Sequence, residues 1–185
     1  DRMISVNTKD WVTFLSTAKS YMAEANIIIK DNTARITGVD LTHTNMIDAA
    51  IPCEYDGEVT IPVSLERMVK ALSTIGSDAD IELTDGYMVL HGEHSKIKVP
   101  LLAEVNSRFS WPPKFAGEPP AQCEIDTALL MPLVSYGQYT NAGIFHVDIG
   151  DTRMNITIGE IPETSEVQSP NTAVGEAHST MDLAY

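Results

Sequence analysis

One run of local signals recurs three times along this chain: an amphipathic helical stretch, a β-prone run, a tight turn and a second β-prone run. A unit of this kind cannot bury its own apolar face and must stack on its neighbours, so the recurrence constrains the fold more than any single segment does. In the first copy, residues 8–23 place Trp11, Phe14, Leu15, Ala18 and Met22 on one side of a helix, with Lys9, Thr13, Ser16 and Ser20 opposite. The β-prone runs 26–30 and 34–39 follow, joined by the turn formers Asp31, Asn32 and Thr33. The second copy starts at Ser64 as N-cap, runs through 65–75 and stops at Gly76. Strands at 81–83 and 87–91 then flank the turn Asp85–Gly86. The third copy has a helical stretch at 127–140, strands at 144–149 and 153–158, and the turn Gly150–Asp151; Pro132 is expected to kink or delay its helix.

The strand at 58–63, which leads into the second helix, has a counterpart at 178–183, as though a fourth unit begins there. These elements predict an α+β fold of antiparallel strands with helices on one face of the sheet. Residues 103–120 contain four prolines and no sustained period, which places the domain boundary in that segment. The expected organisation is an N-terminal domain at 1–102, a connector at 103–120 and an incomplete second domain at 121–185.

Composition narrows the function. Against 26 Asp and Glu there are only 12 Lys and Arg, a formal charge of −14, so any nucleic-acid contact is confined to a locally basic face. No stretch approaches the roughly 18 apolar residues of a membrane span, and the N-terminus has no basic flank before an apolar run. Cys53 and Cys123 lie far apart without metal-ligand spacing, which fits a reducing, intracellular compartment and neither a disulfide framework nor zinc. His91 and His94 form a His-x-x-His pair at a predicted strand end with no third ligand, so no metal is expected. Phosphate-loop, GxSxG and HExxH motifs are all missing, and the carboxylates are scattered; neither catalytic residues nor a cofactor are expected. The sequon Asn155-Ile156-Thr157 falls inside a predicted strand and reads as a chance match.

With the order of elements established, two segments carry a resemblance: GVDLTHTNMIDAAIP (38–52), with Asp40 and His43 in a loop between two strands, and SLERMVKALSTIGSDADIEL (64–83), a helix, glycine stop, acidic turn and strand. Together they resemble the proliferating-cell-nuclear-antigen family of DNA sliding clamps, of archaeal or viral type. The resemblance implies the DNA-clamp fold and a head-to-tail homotrimer of two-domain subunits, with helices lining a central hole. It also implies a non-enzymatic processivity factor that encircles double-stranded DNA and tethers DNA polymerase, clamp loader and other clamp-binding peptides, in the cytoplasm or, in a eukaryote, the nucleus. Lys19 and Lys70 match basic positions of the family's inner helices. Helical geometry adds Lys9, at the centre of its polar face, and Arg67, which shares a face with Lys70 and Thr74. The third helical stretch has no Lys or Arg where the family commonly has them.

For partner docking the resemblance points to Val39, His43, Thr44, Met46, Phe109, Trp111 and Pro112, the aromatic pair standing where aliphatic residues are more usual. The expected subunit interface pairs two edges of opposite charge, 96–99 with Lys96 and Lys98 and 163–168 with Glu163 and Glu166. Two other readings are a clamp-like scaffold or checkpoint-type interaction module, favoured by the uncharged third helix, and an enzyme with an unrecognised acidic site. From the lengths of the earlier units, roughly 50–60 further residues are expected to complete the second domain of the natural protein, which then forms a salt-sensitive trimer.

Overall fold

Helix α1 (Thr8–Lys19) begins where strand β1 (Met3–Asn7) ends, because the Asn7 side chain accepts the Asp10 N–H at 3.0 Å and satisfies a donor left free in the first turn. Its apolar face buries Trp11, Phe14, Leu15 and Ala18, as the spacing predicts. The helix stops at Lys19, short of Met22, which is half-buried beyond it. Strands β2 (Glu24–Lys30), β3 (Thr33–Val39), β4 (Met46–Pro52) and β5 (Val59–Ser64) follow, then helix α2 (Leu65–Ile75) and strands β6 (Asp78–Thr84), β7 (Tyr87–His91) and β8 (Lys96–Pro100). Ser64 sits at the N-cap of α2 but makes no side-chain capping bond, while Gly76 ends the helix at φ 127°.

The computed structural model describes residues 3–43, 45–103, 105 and 117–183. Thr44, Phe109, Trp111 and Pro112 of the expected docking site therefore lie outside the described residues. The chain divides into two units, Asp1–Ser110 and Trp111–Tyr185.

In the first unit the strands form two antiparallel sheets, ordered β4-β3-β2-β5 and β1-β6-β7-β8. The strand before each helix joins the other repeat's sheet: β1 pairs with β6, Asn7 opposite Asp78, and β5 pairs with β2, Ser64 opposite Glu24. The helices repeat this exchange. The Thr8 N–H donates to the Ser77 carbonyl and its hydroxyl to that of Gly76, while the Leu65 N–H donates to the Ala23 carbonyl. Alternate strand residues such as Ile4, Ile27, Ile29, Ile36, Ile61, Ile81 and Leu90 meet Leu15, Leu65, Met68 and Leu72 in one core, all of them fully buried. Each such side chain contributes about 1.5–3 kcal/mol.

The second unit repeats half of this plan. After the short strand β9 (Ala121–Gln122) come helix α3 (Thr127–Tyr139), strands β10 (Ile144–Gly150), β11 (Arg153–Glu160) and β12 (Glu163–Gln168), the short β13 (Val174–Gly175) and β14 (Ala177–Asp182). The order β12-β11-β10-β14 reproduces β4-β3-β2-β5, and β13 pairs with β9. The Leu183 N–H donates to Gly143 as that of Leu65 does to Ala23, so Leu183 stands in the place of Leu65. The sequence pattern had aligned it with Val63, two residues away. Pro132 neither ends nor delays α3, which runs through it. The Asp126 side chain accepts the Ala128 N–H at 2.9 Å and starts the helix ahead of the proline, whose missing N–H forgoes one backbone bond within it.

The hairpin that follows each helix closes on two residues. Lys30 pairs with Thr33, Thr84 with Tyr87 and Gly150 with Arg153, so Thr33 and Gly150 belong to strands and the third turn is Asp151–Thr152. Positive φ at both Asp31 and Asn32, and at both Asp151 and Thr152, matches the right-handed strand twist. Thr152, at φ 65°, is β-branched and strained there. Thr152→Asn, which tolerates this region, is expected to stabilise the chain by up to about 1 kcal/mol in urea denaturation.

Candidate functional site

Because α1 and α2 bury their apolar faces, their polar faces point outward together. Lys9, Lys19, Arg67 and Lys70 are all exposed. Three of them, Lys19, Arg67 and Lys70, line a single open groove of ≈ 890 Å³ between the helices and β8. Lys9 lies about 15 Å along α1 from Lys19, outside it. Among the described residues none of the four forms an ion pair, whereas Lys30 is bound to Glu58 at 3.3 Å and Arg35 to Asp48 at 2.7 Å on the sheet. The hydroxyls between the helix cations are turned back onto the helices: Thr13 donates to Lys9, Thr17 to Thr13 and Thr74 to Lys70, each to the main-chain carbonyl. Such a face attracts anions and offers little directional readout. Glu66 is the acidic member of the groove lining.

The loop between β3 and β4 is built around Asp40. Its carboxylate accepts from the Thr42 hydroxyl at 2.9 Å, the Asn45 N–H at 3.1 Å and the Asn45 side-chain amide at 2.9 Å, and its carbonyl accepts the His43 N–H. This closure holds His43 at φ 56° and exposed. Val39 and Met46, paired across the base of the loop, are half-buried. Leu41, absent from the expected docking set, is 98% exposed at the tip. A leucine between two polar turn residues was the available signal.

Lys96 and Lys98 lie exposed on β8 and Glu163 and Glu166 on β12, each strand at one edge of its sheet. The Lys98 ammonium sits 4.7 Å from the centre of the Tyr87 ring. Glu163 faces Glu160 across the β11–β12 ladder, so its own sheet supplies no counter-charge there.

Other chemistry-bearing groups are engaged differently. His91 contacts Glu82 at 2.6 Å rather than His94, which lies 3.4 Å from Glu93. Burial pushes the Cys53 thiol up, away from the reactive thiolate. Among the described residues no three His, Cys, Asp or Glu side chains come together as metal ligands, and no helix is long and apolar enough to cross a membrane. Replacing Asp40 with Ala removes the acceptor at the centre of the loop. The variant is expected to lose about 1–3 kcal/mol and to exchange the amide hydrogens of 41–45 faster, as hydrogen-exchange mass spectrometry would show.

No protein-family model matches the chain, and no curated protein matches it. Solved structures do. The PCNA2–PCNA3 complex from Sulfolobus tokodaii aligns at TM-score 0.80 and 16% identity, over 98% of this chain and 80% of that one. A. fulgidus PCNA, solved with the C-terminal region of FEN-1 bound, aligns at 0.84 and 15%, over 97% and 78%. The DNA polymerase III beta subunit of Thermotoga maritima aligns at 0.74 and 14%, over 97% of this chain and 53% of that one. The expected α+β clamp fold is the observed one.

Proposed function

We propose that this chain, whose fold is that of the DNA sliding clamps, is a processivity clamp: a ring subunit that encircles duplex DNA and tethers replication and repair proteins to it without catalysing a covalent step. The observation that carries this reading is the cationic groove of Lys19, Arg67 and Lys70, with Lys9 on the same helix pair, none of them in an ion pair among the described residues, on a chain of formal charge −14. Fixed positive charge over a duplex neutralises phosphates irrespective of sequence and permits sliding, while ring closure supplies retention. Three subunits close head to tail when the β8 edge, with Lys96 and Lys98, meets the neighbour's β12 edge, with Glu163 and Glu166. Opposite charges then choose partner and register.

Client peptides, from a polymerase, a loader or a partner such as the FEN-1 whose C-terminal region is bound to A. fulgidus PCNA, dock on the Asp40-closed loop. Leu41, His43 and the Val39–Met46 pair contribute from the loop, and the family resemblance adds Thr44, Phe109, Trp111 and Pro112. A second reading, a clamp-fold scaffold that is not the replicative ring, is favoured by α3, which carries no Lys or Arg and exposes Met131 and Tyr139.

The double substitution Lys19→Ala and Lys70→Ala is expected to shorten retention on closed circular DNA and to lower the salt-dependence slope by up to about 0.9 per lost phosphate contact. Retention that is equal on circular and open linear DNA would select the scaffold reading. In a separate measurement, Trp111→Ala should weaken binding of a clamp-binding peptide by about 2 kcal/mol in calorimetry; unchanged affinity would remove the connector from the docking site.

A further inference from the structure

Strand alternation turns Phe145, Val147 and Ile149 of β10 toward the second core and leaves His146 and Asp148 on the opposite face. On β14, His178 stands directly opposite Asp148 and Thr180 opposite His146. The four side chains connect in one line. His178 Nδ1 contacts the Asp148 carboxylate, His178 Nε2 lies 3.3 Å from Thr180 Oγ1, and Thr180 Oγ1 lies 3.2 Å from His146 Nδ1. The two imidazole rings are stacked with centres 6.3 Å apart.

A carboxylate only accepts, so His178 Nδ1 carries a hydrogen, and in the neutral imidazole Nε2 then presents its lone pair. Thr180 donates its single hydrogen to Nε2, and its oxygen accepts from His146. A metal ion at this lone pair takes the place of the Thr180 hydrogen, while the carboxylate behind keeps the tautomer set, the arrangement found behind metal-binding histidines. The second imidazole is poised within reach of the same oxygen. Hydrogen bonds at this solvent-exposed face add little to folding.

We infer that His146 and His178 bind a divalent transition-metal ion across the β10–β14 ladder. Asp148 stays the hydrogen-bond acceptor, so the protein supplies two nitrogens and water completes the shell. His146 reaches the ion by changing tautomer and turning from Thr180. Imidazole donors select Cu²⁺, Ni²⁺ or Zn²⁺ over Mg²⁺ and Ca²⁺. Joining two strands through their side chains, the ion stabilises the folded chain increasingly as its free concentration exceeds Kd.

The test is titration calorimetry and thermal melting of the chain without a histidine tag, using Ni²⁺ and Zn²⁺ with Mg²⁺ as reference. One ion per chain is expected, with a rise in Tm that Mg²⁺ does not produce. His146→Ala or His178→Ala should abolish both effects, Asp148→Asn should weaken binding about tenfold or more, and His91→Ala with His94→Ala should leave it intact. Absence of binding by the unaltered chain, or binding retained when His146 and His178 are both replaced, overturns the inference. Histidine ¹⁵N spectra give an independent reading: His178 Nε2 protonated rather than bare in the ion-free chain would also overturn it.

Discussion

The first unit depends on an exchange. Each repeat sends its leading strand into the other repeat's sheet, β1 beside β6 and β5 beside β2, and the two helices are tied by the matching bonds from Thr8 to Ser77 and from Leu65 to Ala23. Neither repeat can complete its sheet alone, so the two fold as one cooperative body around a shared core. With the helix starts pinned at opposite ends, α1 and α2 lie together and must turn their polar faces the same way.

That shared orientation concentrates charge. Lys19 is far in sequence from Arg67 and Lys70, yet the three line one groove. On the sheet Lys30 is paired with Glu58 and Arg35 with Asp48. A net-negative chain thereby keeps a free positive face on its helices. The hydroxyls of Thr13, Thr17 and Thr74 are bonded back onto main-chain carbonyls of their own helices.

The second unit carries the same sheet order and the same capping bond at Leu183, yet a different surface. Its helix buries only Gly137, where α1 and α2 each bury five residues, and it has no cation. Its charged chemistry lies on the opposite side of the sheet, where His146, Asp148, His178 and Thr180 share a face. The same backbone plan thus presents an anion-attracting helix face in one unit and a row of imidazoles on a sheet in the other.

Periodicity alone determined the helices, most strands and all three hairpins, because local backbone preference and apolar spacing are properties of contiguous residues. Helical geometry also marked Lys9 and Arg67, and the resemblance carried by 38–52 and 64–83 supplied Lys19, Lys70 and the clamp fold. Where contiguous pattern met competing interactions it erred by small amounts. Pro132 did not delay α3 because Asp126 starts the helix ahead of it, and the third turn moved by one residue because Gly150 still pairs with Arg153. The strand exchange, the gathering of Lys19 with Arg67 and Lys70, the closure of the loop on Asp40 and the meeting of His146 with His178 were decided only by tertiary structure. Each joins groups whose proximity depends on strand register and helix packing, and register is set by the sum of all core contacts rather than by any stretch of sequence.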